Sequence, residues 1–329
     1  MKKIIALELM GGDTGPQLAY DSAVKFLNKN SDYKIVAFAT ETFKPVTTHE
    51  SIEIIYSENF IDHDAQAMSI LRVKNNTLAT AFDYVNEGKA EALVSASSSA
   101  PLVAGGFMKF KAIEGLKPAF TPIFTGFDLR PRIILDAGAN IETTPEMLVN
   151  YAMMGEEYAK AIGISQNPIT KLVNIGSEDT KGDALRKEAF KLLSDKEGIN
   201  FKGNLESNVV LTDDYDVAVI DAYSGNILIK AVEGVMFGFK DHIKAAADKS
   251  MKTKLGLLVA KDSIKVLKQI AYHEFAGAAV VLGLNKILIK VHGSQRENEV
   301  ISGLNIAKTL IEKDIVNSIK GNIEHAKDN

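Results

Sequence analysis

The chain has no cysteine and no tryptophan. Without a thiol there can be no disulfide, no thiolate zinc site and no cysteine nucleophile, a composition that suits a reducing compartment. A large excess of either charge is missing as well. The formal net charge is -4, and no lysine or arginine cluster is interleaved with aromatic residues, so nucleic acid is not among the expected partners. Long apolar runs are missing too. "FAGAAVVLGL" falls well short of the roughly 18 residues that read as a transmembrane helix. The opening "MKKIIALELM" is broken by Glu8 and is followed by no small-residue cleavage site, so it reads as a strand and not as a secretory leader.

The common site motifs are equally thin. There is no G-x-G-x-x-G, no phosphate-binding G-x-x-x-x-G-K-[ST], no G-x-S-x-G elbow and no H-x-x-x-H pair. A serine hydrolase, a metal site and a redox cofactor are therefore not expected.

What is present is an ordinary globular composition, 46% hydrophobic and 24% charged over 329 residues. That length exceeds what one compact core usually fills and predicts two domains. Apolar runs alternate with amphipathic segments. "KKIIALEL", "KIVAFA", "EALVSA", "RIILDAGAN", "TKLVNIG" and "YDVAVID" read as strands, and "QLAYDSAVKFLNKN", "NTLATAFDYVNEGKA" and "PEMLVNYAMMGEEYAKAI" as helices. Thr144 and Pro145 suit the start of the last helix, and Gly163 suits its stop. This alternation predicts an α/β fold on parallel sheets.

Ligands bind such sheets beyond the carboxyl ends of the strands, which turns attention to five small polar loops. They are "MGGDTGP", with Gly11, Gly12 and Asp13; "SASSSAP", with Ser97, Ser98 and Ser99; "DAGAN", with Asn140; "GSEDTKGD", with Lys181 and Gly182; and "DAYSGN", with Asp221, Ser224, Gly225 and Asn226. Small residues let backbone N–H groups converge on an anion, and a helix N-terminus adds partial positive charge. Any one loop taken alone reads as a plain turn, but five together predict a shared crevice. Spacing alone makes Lys181 either an anion-binding cation or a solvated lysine. Asn226 is either a donor to a carbonyl oxygen or a helix cap, and Asp221 either orients its neighbours or closes an Asx turn. His292, after an apolar strand, either lines the crevice or is structural.

The ordered set "MGGDTGP", "ILDAGAN", "NIGSEDTKGDALRKEAFKLL", "FKGNLE", "DVAVIDAYSGNILIKAVEG" and "EFAGAAVVLGLNKILIKVHGS" resembles the phosphate acyltransferases of bacterial phospholipid synthesis, the PlsX family. The resemblance implies a two-domain parallel-sheet sandwich of the phosphotransacetylase and isocitrate-dehydrogenase type. We place the first domain at residues 1–142 with 290–329 and the second at 143–289. The implied reaction converts acyl-[acyl-carrier protein] and inorganic phosphate to acyl phosphate and free carrier protein, without cofactor or metal. Lys181 and Asn226 stand where the family has its catalytic pair, and the glycine and serine loops with His292 would bind phosphate and substrate. A homodimer is implied, in a cytoplasmic protein peripherally attached to an anionic membrane.

Several positions depart from the family pattern. Glu8 replaces an aspartate, Leu9 an alanine, and Ser97 and Ala100 replace glycines. "DAYSGN" and Glu274–Ala278 also differ from the usual motifs. Within "FKDHIKAAADKSMKTKLGLLVAKDSIKVLKQI", Met251, Leu255 and Leu258 would form an apolar membrane-facing tip flanked by Lys249, Lys252 and Lys254. The same segment reads alternatively as a buried helix pair at a dimer interface. Arg186, Lys187 and the later lysines are the basic groups an acidic carrier protein would seek. Two other functions fit the same residues: a phosphotransacetylase-like enzyme using acyl-coenzyme A, and a non-catalytic membrane scaffold for the acyl-carrier system.

Overall fold

The computed structural model describes residues 2–62, 64–260, 277–293 and 296–328. It divides into two compact units, residues 1–121 with 277–329, and residues 122–276.

In the first unit, strands β1 (Lys3–Glu8), β2 (Tyr33–Thr40), β3 (Ile52–Ser57), β4 (Ala92–Ser95), β10 (Ala278–Leu282) and β11 (Ile287–Val291) lie in the order β3-β2-β1-β4-β11-β10. All neighbours are parallel except the β10–β11 pair. Alternation along each strand sends side chains to two faces. Ala6, Leu93 and Leu288 meet helix α3 (Thr77–Asn86) in a core with Leu78, Phe82 and Phe110. The Phe82 and Phe110 rings cross edge to face with centroids 4.9 Å apart. Val94, Ile289 and Val291 face the other way, against Gly303 of α9 (Glu297–Glu312). Helix α1 (Pro16–Leu27) packs beside α9. It buries Ala19, Tyr20, Ala23, Phe26 and Leu27, the stripe an amphipathic helix predicts. Each fully buried large apolar side chain of this kind contributes about 1.5–3 kcal/mol.

In the second unit the order is β5-β6-β9-β7-β8, from β5 (Ala119–Thr125, straddling the boundary), β6 (Pro131–Leu135), β7 (Thr170–Asn174), β8 (Phe201–Glu206) and β9 (Val217–Val219). Only β5–β6 is antiparallel. Helix α5 (Pro145–Ala161) lies on one face, its Gly155 against Val217 and Leu135. The Thr144 hydroxyl caps α5 by accepting from the Met147 N–H at 3.3 Å. The 28-residue α7 (Ala222–Lys249) packs Leu228 and Ile229 on the other face, against Ile134, Ala218 and Tyr215.

The α/β class and the mainly parallel sheets hold, with two antiparallel pairs added. The boundaries differ from those the sequence suggests. A cut at 142/143 would separate β6 from its partner β9, and a cut at 289/290 would divide β11 itself. The units change over at 121/122 and 276/277 instead.

Candidate functional site

In the first unit β1, β4 and β11 run parallel, so the loops leaving them share one edge. Register sets Glu8 opposite Ser95, and Ser95 opposite Lys290. All three lie on the α3 face. Glu8 ends β1 fully buried, and its carboxylate is filled by donors. Oε1 accepts from the Met10 N–H at 2.9 Å and the Thr77 hydroxyl at 2.8 Å. Oε2 accepts from the Gly11 N–H at 3.1 Å and from the hydroxyls of Ser95 and Ser97 at 3.0 and 3.1 Å. Burial pushes the Glu8 carboxyl above the ordinary value, and these donors oppose the rise.

Gly11 must be glycine, because a Cβ there would lie 2.4 Å from the Ser97 backbone nitrogen and hydroxyl oxygen. The Asp13 N–H donates to the Gly293 carbonyl at 2.9 Å, and the His292 N–H to the Gly277 carbonyl at 2.6 Å. The first and last loops of this edge are therefore tied together. The half-buried Lys290 ammonium donates to the carbonyls of Ser97 at 3.0 Å and Val291 at 3.2 Å. Burial lowers its pKa to about 8, and the Asp13 carboxylate works against that fall. Gly12 sits within the turn, Ser98 precedes α4 (Ser99–Gly105) and Ser99 opens it. The Ser98 hydroxyl makes a 3.4 Å bond to the Ala65 carbonyl and does not cap that helix.

In the second unit β6, β9 and β7 are parallel, and their exits again share an edge. Asp136 follows β6 through a cis peptide. Its buried carboxylate organises the "DAGAN" turn. Oδ1 accepts from Gly138 and Ala139, both at 3.0 Å. Oδ2 accepts from the Asn140 backbone at 3.1 Å and its amide at 2.7 Å. The Asn140 amide also reaches the Tyr151 hydroxyl at 2.9 Å. Burial, then the Asp136 charge, holds that phenol protonated far above its usual range.

Asp221 caps α7, accepting from the Ser224 N–H at 3.0 Å, and it pairs with the Arg186 guanidinium. Arg186, on α6 (Ala184–Asp195), also meets the Ser224 hydroxyl at 3.3 Å and Asp183 at 2.8 Å. Burial opposes charge on Asp221, but Ser224 and Arg186 outweigh it and hold the carboxyl below its ordinary value. Gly225 lies on the Asp136 carbonyl, so close that a Cβ would stand 2.0 Å from the oxygen. The Asn226 side chain lies over Gly138, 3.6 Å from the place a Cβ would take.

Lys181 stands on the loop after β7. Its stem runs over Gly176, its ammonium is 3.9 Å from Glu178, and the side chain is 49% exposed. Its carbonyl accepts from the Asn174 amide at 3.1 Å, and Gly182 (φ +96°) packs on Asn174. The residues singled out in the sequence thus form two sets. Gly11, Gly12, Asp13, Ser97 and His292 belong to the first unit, with Ser98 and Ser99 beside them. Asn140, Lys181, Gly182, Asp221, Ser224, Gly225 and Asn226 belong to the second.

Met251, Leu255 and Leu258 lie on α8 (Met251–Val259) at i, i+4 and i+7, one face of the helix, and are 73%, 59% and 62% exposed. The rest of that lysine-rich stretch, residues 261–270, and Glu274–Ala276 lie outside the described residues. Among the described residues no helix is long and apolar enough to cross a membrane, and no group of three acidic or histidine side chains is placed to hold a metal.

Sequence reasoning missed Asp136, Tyr151 and Lys290. Lys290 carried a signal, a charged residue inside the apolar run "ILIKV". The donors to Asp136 came from its own loop, but nothing in their spacing announced a carboxylate at the centre.

The structure superposes on a phosphotransacetylase from Staphylococcus aureus with a TM-score of 0.58 over 94% of both chains, at 17% identity. The fold is therefore of the phosphotransacetylase type. Residues 3–318 match the family described as "Fatty acid synthesis protein". The chain is 35% identical over 324 residues to the phosphate acyltransferase of Mycoplasma mobile, covering 97% of this chain and 99% of that protein. It is 34% identical over 326 residues to the phosphate acyltransferase of Lysinibacillus sphaericus, covering 98% of each. The chain belongs to this family and is an acyltransferase.

Proposed function

We propose that the protein transfers the acyl group of an acyl-carrier-protein thioester to inorganic phosphate. A phosphate oxygen attacks the carbonyl carbon, a C–O bond forms and the C–S bond breaks. The departing sulfur takes the proton that phosphate gives up, leaving acyl phosphate and a free carrier thiol. Phosphate is already a nucleophile, so no covalent enzyme intermediate is required, and binding removes the entropic cost of bringing it to the thioester. The observation that carries this reading is the family membership, combined with two polar groups at the shared strand edge of the second unit. Asn226 donates its amide to the developing oxyanion from above the "DAGAN" turn. Lys181, half-exposed and only loosely paired with Glu178, neutralises phosphate or that oxyanion. Binding of phosphate and substrate is assigned to each unit by itself, in the first to the glycine and serine loops and in the second to Asp221, Ser224 and Gly225.

In the same reading the protein works as a homodimer on the inner membrane face. The lysine-flanked apolar face of α8 touches anionic lipid, because exposed apolar side chains beside cations suit that surface.

The test is phosphate-dependent release of free carrier protein from a long-chain acyl carrier, with acetyl-coenzyme A as the competing substrate. Lys181→Ala and Asn226→Ala should each lower turnover by about 10²-fold or more, the usual loss for one oxyanion donor, while the protein stays folded. Near-normal acyl phosphate formation by both variants would sink the assignment.

A further inference from the structure

Ser97 is gripped at both ends. Its hydroxyl donates to Glu8 at 3.1 Å, and its carbonyl accepts from Lys290 at 3.0 Å. Its backbone fills the space where Gly11 would carry a side chain. Glu8 in turn accepts the N–H groups of Met10 and Gly11, one on each oxygen. An acid and a base from β1 and β11 therefore meet on one serine of the β4 loop, and that serine abuts the glycine turn. Neither side chain is needed for the sheet itself, where apolar residues at both positions would bury more favourably.

We propose that Glu8 and Lys290 are positioning residues: they clamp Ser97 from its two sides and so fix the Met10–Gly12 turn for substrate phosphate. This rests on the acyl-transfer reading for the identity of the substrate, and on geometry alone for the clamp. The two oxygens of Glu8 are not interchangeable with an amide. Each receives a backbone N–H that cannot rotate away. In Glu8→Gln one of those N–H groups must face the amide NH2, whichever way the side chain is flipped. The hydroxyls of Thr77, Ser95 and Ser97 can turn to suit the new side chain, so the damage concentrates at Met10 and Gly11. At Lys290, methionine keeps the length but cannot donate, whereas arginine still offers two donors to the two carbonyls.

The experiment compares Glu8→Gln, Lys290→Met and Lys290→Arg with the full wild-type chain by amide hydrogen exchange and steady-state kinetics. Glu8→Gln and Lys290→Met should each speed exchange at Met10 and Gly11 by about tenfold, the equivalent of one buried hydrogen bond. Exchange in β2 should stay unchanged. Both should raise the KM for phosphate by a similar factor with a smaller change in kcat, and Lys290→Arg should recover most of the loss. Wild-type exchange at Met10 and Gly11 in both variants overturns the clamp. Faster exchange with an unaltered phosphate KM overturns its part in substrate binding. If the wild-type chain forms no acyl phosphate at all, the reading of its function fails, and the exchange comparison still decides the clamp.

Discussion

Two glycines of the same helix should answer the same substitution with opposite signs. Gly225 and Gly234 both lie in α7. An alanine methyl at Gly234 would meet nothing within 4 Å, whereas at Gly225 it would stand 2.0 Å from the Asp136 carbonyl oxygen. A carbon and a carbonyl oxygen sit comfortably at roughly 3.3 Å, so at Gly225 the helix and the Asp136 loop must part by about 1 Å. That loop has little freedom to yield, because the Asp136 N–H donates to the Ile220 carbonyl at 2.9 Å. Its carboxylate also holds three backbone N–H groups of the turn.

Replacing glycine inside a helix gains up to about 1 kcal/mol. Overpacking of this kind costs about 1–3 kcal/mol and sometimes more. Gly234→Ala should therefore raise the urea midpoint, and Gly225→Ala should lower it. Because Asn226 and the "DAGAN" turn flank the contact, a displacement near 1 Å should also cut turnover by about 10²-fold. The assay is paired urea unfolding with turnover measured on the folded fraction. If Gly225→Ala stabilises the protein as Gly234→Ala does and keeps its activity, the close approach of α7 to Asp136 is not what orders the site.

Further outcomes follow from other parts of the molecule. Asp128 forms a two-pronged pair with the fully buried Arg132, at 2.8 and 2.9 Å. Asp128→Asn should cost roughly 2–3 kcal/mol in urea unfolding, less than a fully buried pair because Asp128 is half-exposed. The hydrogen bonds from Arg132 hold the Asp128 carboxyl down to about 2. Its share of stability is thus present above the unfolded carboxyl range, near 4, and is lost as pH falls through about 2. The wild-type midpoint should therefore fall between those limits more steeply than that of Asp128→Asn. Leu255→Glu should weaken flotation with anionic vesicles while leaving turnover on soluble acyl carrier intact, and unchanged flotation would remove α8 as the membrane contact.

Much of the fold is legible in the chain because its parallel strands are buried on both faces and read as short apolar runs closed by small residues. β5, β8 and the full length of α7 are harder to see, each for a local reason. "AFTPIFT" carries Pro122 in its middle, which argues against a strand. "FKGNLE" contains Gly203 at φ +85°, where its pairing with β7 skips a residue. α7 runs unbroken through Gly225, Gly234 and Gly238, three residues that lower helix propensity.

The loops at the strand ends were visible as small polar stretches, since the sequence itself places Lys181, Asn226 and the glycines there. Their wiring was not. Two of the donors to Glu8 are the nearby N–H groups of Met10 and Gly11, but its three hydroxyl donors come from residues 77, 95 and 97, and no local pattern links positions so far apart.

The first unit is interrupted in the chain, with β4 ending at Ser95 and its partner β11 beginning only at Ile287. On the ribosome, β4 is made with one side paired to β1 and the other bare. It stays so until the whole second unit has been synthesised. A bare strand edge with apolar faces invites wrong pairing, and closing so long a loop is slow. The second unit, continuous in sequence, can complete its own sheet in that interval. The order of synthesis therefore makes the middle of this protein its first finished part, and leaves its beginning to wait for its end.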